Sequence, residues 1–159
     1  MGRPLTVEQS RAIPVSVDDA FAGTMPIPLP TLFRHRYGPI PPIKEVRGQT
    51  GDWSSVGQTR TVLLAGGGSM REELTSVDPP RSFGYTLTDI TGPMSPLVRL
   101  VEGEWIFTAA GAGTTVTWRW TIHARSALAA PLVPVLGRLW KGYARRSLEE
   151  LSKQLAGSR

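Results

Sequence analysis

The stretch Gly113-Thr114-Thr115-Val116-Thr117-Trp118-Arg119-Trp120-Thr121-Ile122-His123 decides the fold. Val116, Trp118, Trp120 and Ile122 share one face, and Thr115, Thr117, Arg119, Thr121 and His123 share the other. Alternation of bulky apolar with polar side chains predicts a strand in a sheet covered on one face and wetted on the other. The preceding segments repeat the pattern. Trp105 and Phe107 fall on the covered face of a strand over 100–109, and Phe83, Tyr85 and Leu87 on that of a strand over 82–90. Further back, the spacing predicts strands over 43–49, 58–65 and 70–77, and a first strand over 5–13 that ends at Pro14. From 43 onward the strands are separated by turn residues, among them Gly66-Gly67-Gly68, Asp78-Pro79-Pro80-Arg81 and Gly111-Ala112-Gly113. Short turns join antiparallel neighbours, because parallel ones need long crossovers. The expectation is an antiparallel meander.

One long segment has the helical period instead. From 129 to 155, Leu132, Leu136, Leu139, Trp140, Tyr143, Leu148, Leu151 and Leu155 recur at three- and four-residue intervals. Pro131 and Pro134 fit such a helix only near its start. Its apolar stripe needs a partner, and the covered face of the sheet is the only one large enough. Near the N-terminus, Ser16 followed by Asp18 and Asp19 is an N-cap with acids in the first turn, so a short helix starts there. Pro26, Pro28 and Pro30 stop it, and a second short helix is expected over 31–36. Residues 37–42, rich in proline, read as a rigid extended connection, and 156–159 as a frayed end. The class is α+β: an antiparallel sheet of about seven strands wrapped on a long C-terminal helix, with two short helices after the first strand.

Composition bounds the function. A chain of 159 residues suits a single domain over 1–159 and can bury a full core. Without cysteine, disulfides and thiolate catalysis are excluded, and two histidines make a multi-histidine metal site improbable. The net charge of +5 is scattered; its densest cluster, Arg138, Lys141, Arg145 and Arg146, shares a segment with Glu149, Glu150 and Lys153. That reads as a solvated helix face, so no nucleic-acid partner is expected. No run approaches ~18 apolar residues and nothing after Met1 resembles a signal sequence, so no membrane insertion and a cytoplasmic location are expected. A monomer or weak homodimer is the expected state, with no cofactor.

What remains is a covered face rich in large aromatics, the usual lining of a small-molecule site. Candidates for a cavity wall are Arg60, Val62, Glu72, Leu74, Phe83, Tyr85, Trp105, Phe107, Trp118, Trp120, Leu136, Trp140 and Tyr143. If the three-glycine turn closes a hairpin, Val62 lies opposite Glu72, with Arg60 a diagonal neighbour on the same inner face. The pair reads either as a polar anchor for a ligand or as a structural ion pair. Tyr85 is the best-placed hydroxyl of Tyr37, Tyr85 and Tyr143, with core packing as its other reading. His123 alternates outward and His35 sits between two arginines, so both read as surface residues. There is no Gly-x-Ser-x-Gly elbow and no phosphate loop. Glu72 and Glu73, adjacent on a strand, face opposite ways. No catalytic residue is assigned.

The element order and local sequence resemble the helix-grip fold. Leu29-Pro30-Thr31-Leu32-Phe33, Tyr37-Gly38-Pro39-Ile40-Pro41-Pro42, Gly57-Gln58-Thr59-Arg60-Thr61-Val62, the run from Glu72 through Asp78-Pro79-Pro80-Arg81 to Tyr85, and Gly113–Trp118 carry the likeness. Over residues 5–155 the chain resembles the SRPBCC, or START-like, superfamily, in its polyketide cyclase/dehydrase and lipid-transport branch. The resemblance implies a cavity between sheet and long helix, opening near the short helices and strand-end loops. It implies a binder of a small hydrophobic molecule such as a lipid, polyketide or aromatic metabolite. A polyketide cyclase/dehydratase-type enzyme and a protein-interaction module are the alternatives, since every matching motif is a turn or a packing pattern.

Overall fold

The meander is realised as one seven-stranded antiparallel sheet in the computed structural model, which describes residues 3–157. The elements are β1 (Leu5–Ile13), α1 (Val17–Thr24), α2 (Leu29–Leu32), β2 (Ile43–Arg47), β3 (Thr59–Leu64), β4 (Ser69–Asp78), β5 (Ser82–Thr91), β6 (Val98–Ala110) and β7 (Gly113–Ala124). A 3-10 turn over Ala130–Leu132 then leads into α3 (Val133–Gly157). The strand order is β1-β7-β6-β5-β4-β3-β2, so the first strand closes against the last. This is the helix-grip fold.

The face assignment follows the alternation. Val116, Trp118, Trp120 and Ile122 are buried, and the cross-strand pairs Trp105 with Trp118 and Val101 with Ile122 continue their face onto β6. Ser16 caps α1 by accepting from the Asp19 N–H. The helix α3 packs chiefly on β1, with smaller contacts to α1 and to β7. Gly137 permits the close approach: a Cβ there would sit 2.8 Å from Leu5 Cδ2 and 3.2 Å from Val7 Cγ1. The Gln9 side chain also donates to the Lys141 carbonyl at 3.1 Å.

Several local expectations differ from the structure. The β3–β4 hairpin turns one residue earlier than expected, over 65–67 rather than 66–68, with Gly66 and Gly67 (φ 93° and 103°) in the left-handed region. Val62 therefore faces Met70, and Arg60 stands directly opposite Glu72 rather than diagonal to it. The second short helix is Leu29–Leu32, earlier than 31–36, because Pro30 falls in its first turn, where a proline starts a helix instead of stopping one. Residues 37–42 are not purely extended: Gly38 (φ 56°) makes a turn in which Tyr37 and Ile40 exchange both backbone hydrogen bonds. Leu132 leaves the buried stripe of α3 and is half-exposed. At the C-terminus α3 continues through Ala156 and Gly157, while Ser158 and Arg159 lie outside the described residues.

Candidate ligand-binding cavity

Beside the region covered by α3, the inner face of β3, β4 and β5 is roofed by the end of α1, by α2 and by loops at 37–43 and 92–97. A cavity of about 80 Å³ lies between them, room for several waters at roughly 10–15 Å³ each. Its wall is mostly apolar: Met25, Leu29, Phe33, Val62, Leu64, Met70, Phe83 and Trp105 among others. Outside it, between Pro39, Ile90, Pro93, Leu97 and the start of α3, runs an apolar groove of about 220 Å³. Ile40, Pro41, Leu64 and Met94 border both spaces and form the partition between them.

One polar feature of the wall is the Arg60–Glu72 pair. The register places both side chains inward, 7% and 4% exposed, with Arg60 Nε donating to Glu72 Oε1 at 2.8 Å. Arg60 Nη1 also donates to Gln49 Oε1 at 3.3 Å, and its guanidinium carbon lies 3.8 Å from the centre of the Trp53 ring. A cation stacked on an indole face retains part of its lost hydration energy. Trp53 is held there by its loop: Gln58 Oε1 accepts from the Ser54 and Ser55 N–H groups, and Ser54 donates to Asp52. Burial pushes the Glu72 carboxyl above its ordinary range, and the charge and hydrogen bond of Arg60 only partly restore it.

The other polar feature is Tyr85. Its ring lies flat over Gly103, its cross-strand partner, where a Cβ would come within 2.1 Å of the ring carbon Cζ. With no side chain beneath it, the ring reaches over β6 and presents its hydroxyl to β7. There Trp118 Nε1 donates to Tyr85 Oη at 2.8 Å, and Trp120 Nε1 does so at 3.0 Å. Burial, then the charge of Glu72, raises the phenol well above its ordinary value, so it stays protonated through the neutral range. Tyr143, raised likewise by burial, stacks on Phe33 with centroids 5.9 Å apart. Thr24, 3% exposed on the same wall, has a hydroxyl with no hydrogen-bond partner among the described residues.

Of the residues singled out in the sequence, Arg60, Val62, Glu72, Phe83, Tyr85, Trp105, Trp118, Trp120 and Tyr143 line the cavity. Four do not. Leu74 is wholly buried in the core beside Tyr85, its β5 partner, and Phe107 packs with Phe21 and Phe83 towards α1. Trp140 is wedged against Trp118 and Trp120, centroids 4.9 and 5.5 Å away, behind the wall they form. Leu136 lines the outer groove instead. His35 is exposed, and His123 faces outward and contacts Glu102 at 2.6 Å. Sequence reading missed Trp53, Phe33, Met25, Met94 and Thr24, all on loops or helix ends where no periodicity marks an inward face. Gly103 was legible in principle: it interrupts the inward series Val101, Trp105, Phe107 with a residue that has no side chain.

The polyketide cyclase/dehydrase and lipid transport family model matches residues 4–156. No curated protein matches the sequence. Among solved structures, the ginseng major latex-like protein 151 from Panax ginseng is similar at 11% identity, covering 95% of this chain and 97% of that one, with a TM-score of 0.69. Ara h 8.0201 is similar at 16% identity, covering 97% and 99%, with a TM-score of 0.66. TTHA0849 from Thermus thermophilus is similar at 16% identity, covering 97% and 99%, with a TM-score of 0.68. At such identities these likenesses concern the fold. The family match spans nearly the whole chain, and the chain belongs to the polyketide cyclase/dehydrase and lipid transport family.

Proposed function

We propose that this protein binds a small, largely apolar ligand in the cavity between the sheet, the two short helices and their loops, with Tyr143 of α3 on its wall, and without a cofactor. The observation that carries the reading is the wall itself. Aromatic and aliphatic side chains surround a space with a few convergent polar groups, Arg60, Glu72, Tyr85 and Thr24, a combination suited to holding an apolar body in one orientation. The inner space is small, and the ligand makes room by moving Met25 and Met94, unbranched side chains that repack at low cost. A longer ligand, such as a lipid chain, would extend past Met94 into the outer groove. Titration with a panel of small aromatic compounds and short-chain fatty acids, followed by tryptophan emission, tests this. Saturable binding of one molecule per chain, lost when Val62→Phe fills the space, is expected; no saturable change with any compound would refute it.

Turnover of a polyketide-like substrate is a second reading, favoured by one observation. A carboxyl with a raised pKa and a neutral phenol face the same enclosed space, and such a pair can share proton transfer at a carbonyl compound. Glu72→Gln would then abolish turnover of a bound substrate while leaving its binding measurable. Equal turnover in both proteins would remove Glu72 from the chemistry.

A further inference from the structure

We infer that Tyr85 acts on the ligand only as a hydrogen-bond donor, so that the cavity selects ring compounds carrying a neutral acceptor such as a ketone oxygen. This rests on the binding reading above and narrows its ligand class. A phenol oxygen has acceptor capacity and one proton to donate. On Tyr85 the acceptor side is occupied by two indole N–H groups, from Trp118 at 2.8 Å and Trp120 at 3.0 Å. Both indoles are themselves buried, and the Tyr85 oxygen is the acceptor the structure gives each of them. The hydroxyl proton is thereby directed away from β7. Among the described residues it finds no acceptor within hydrogen-bond distance. A buried donor left without a partner is costly, and an acceptor on the ligand removes that cost. A ligand hydroxyl that needed to donate to Tyr85 would find its acceptor positions taken.

The charge nearby refines the class. Glu72 contributes negative charge close enough to raise the Tyr85 phenol, and Arg60 is already engaged by Glu72, Gln49 and the Trp53 ring. The pair is mutually compensated, so a carboxylate placed against Tyr85 would be buried with no unpaired cation to balance it. A ketone oxygen needs no such balance. Gly103 is the positioning residue, since the ring holds its place only while nothing projects from that position.

Acetophenone and ethylbenzene, alike in shape except for the carbonyl oxygen, are the probes. Both are titrated by calorimetry into the full chain and into its Tyr85→Phe and Gly103→Ala variants. Carbon-13-labelled acetophenone reports its carbonyl stretch in the infrared. In the parent protein the carbonyl band is expected below its position in hexane. The ratio of acetophenone to ethylbenzene affinity is expected to fall about tenfold in Tyr85→Phe, the equivalent of one hydrogen bond of about 1.4 kcal/mol, and to fall in Gly103→Ala as well. Binding of both probes with an unchanged ratio in Tyr85→Phe, or a bound carbonyl band at its hexane position, overturns the inference and leaves the binding reading intact. Binding of neither probe by the parent protein overturns the inference along with an aromatic reading of the cavity. If Tyr85→Phe fails to fold, the infrared band in the parent protein decides alone.

Discussion

The inner face of one sheet is finished in two ways. Over β1 and β7, α3 lies close enough that Gly137 must do without a side chain, and the rings of Trp118, Trp120 and Trp140 occupy the space between the layers. Over β3, β4 and β5 the cover is two short helices and loops, and it leaves a cavity containing a buried ion pair. The same alternation of side chains builds both halves. A periodic pattern therefore specifies that a face is covered, while the kind of cover decides whether that face becomes core or site.

Substitutions should separate the halves. Trp140→Ala is expected to cost about 3–5 kcal/mol in urea unfolding, as deletion of a large buried aromatic does. Its indole N–H has no acceptor among the described residues, so the loss is one of packing alone. Arg60→Met leaves Glu72 buried without its counter-charge, at roughly 3 kcal/mol. Protonation of Glu72 keeps the cost at the low end of the usual range, and Arg60→Met with Glu72→Leu should recover most of it. A double variant as unstable as the single one would show that the pair supports the fold through something other than charge compensation.

Overpacking compares the halves directly. Val116→Phe, in the filled half and fully buried, should cost about 1–3 kcal/mol. Val62→Phe, on the cavity wall, should cost distinctly less, because the added ring enters open space. Equal costs would mean that the cavity half is as tightly filled as the other.

A pH series sharpens the electrostatic side. The folded Glu72 carboxyl is raised above its ordinary 4.5 by burial. Between 4.5 and the folded value the native state holds a proton that the unfolded chain has released. The stability gained from that proton is complete below about pH 4.5 and is lost as pH rises through the folded value. The parent protein should therefore lose stability with rising pH across this window more steeply than Glu72→Gln, and parallel curves would contradict the raised value. The smallest effect is expected on the outer face, where His123→Ala, breaking a half-exposed contact with Glu102, should change stability by about 0–1 kcal/mol.

Much of this fold was legible because strands carry their face in their period. Residues 115–123 told inside from outside at each position, and β1 begins and ends where its alternation and Pro14 require. The loop-borne part was not legible. Trp53 has a positive φ of 58° within a hydrogen-bonded loop, and nothing in its neighbours marks it as the cover of Arg60. Trp140 and Leu136 fall on one helical stripe, yet the crossing of α3 over β7 sends one behind the wall and the other to the outer groove. Such distinctions depend on the angle between layers, which a one-dimensional pattern does not contain.

On the proposed function, the loosely covered half holds a ligand. Native mass spectrometry of the protein purified gently from its own source, beside Val62→Phe prepared identically, tests it most directly. A defined adduct on the parent protein, released by denaturing extraction as an apolar compound and absent from Val62→Phe, is the expected result. Empty protein in both, persisting after incubation with diverse lipids and aromatic ketones, would contradict it.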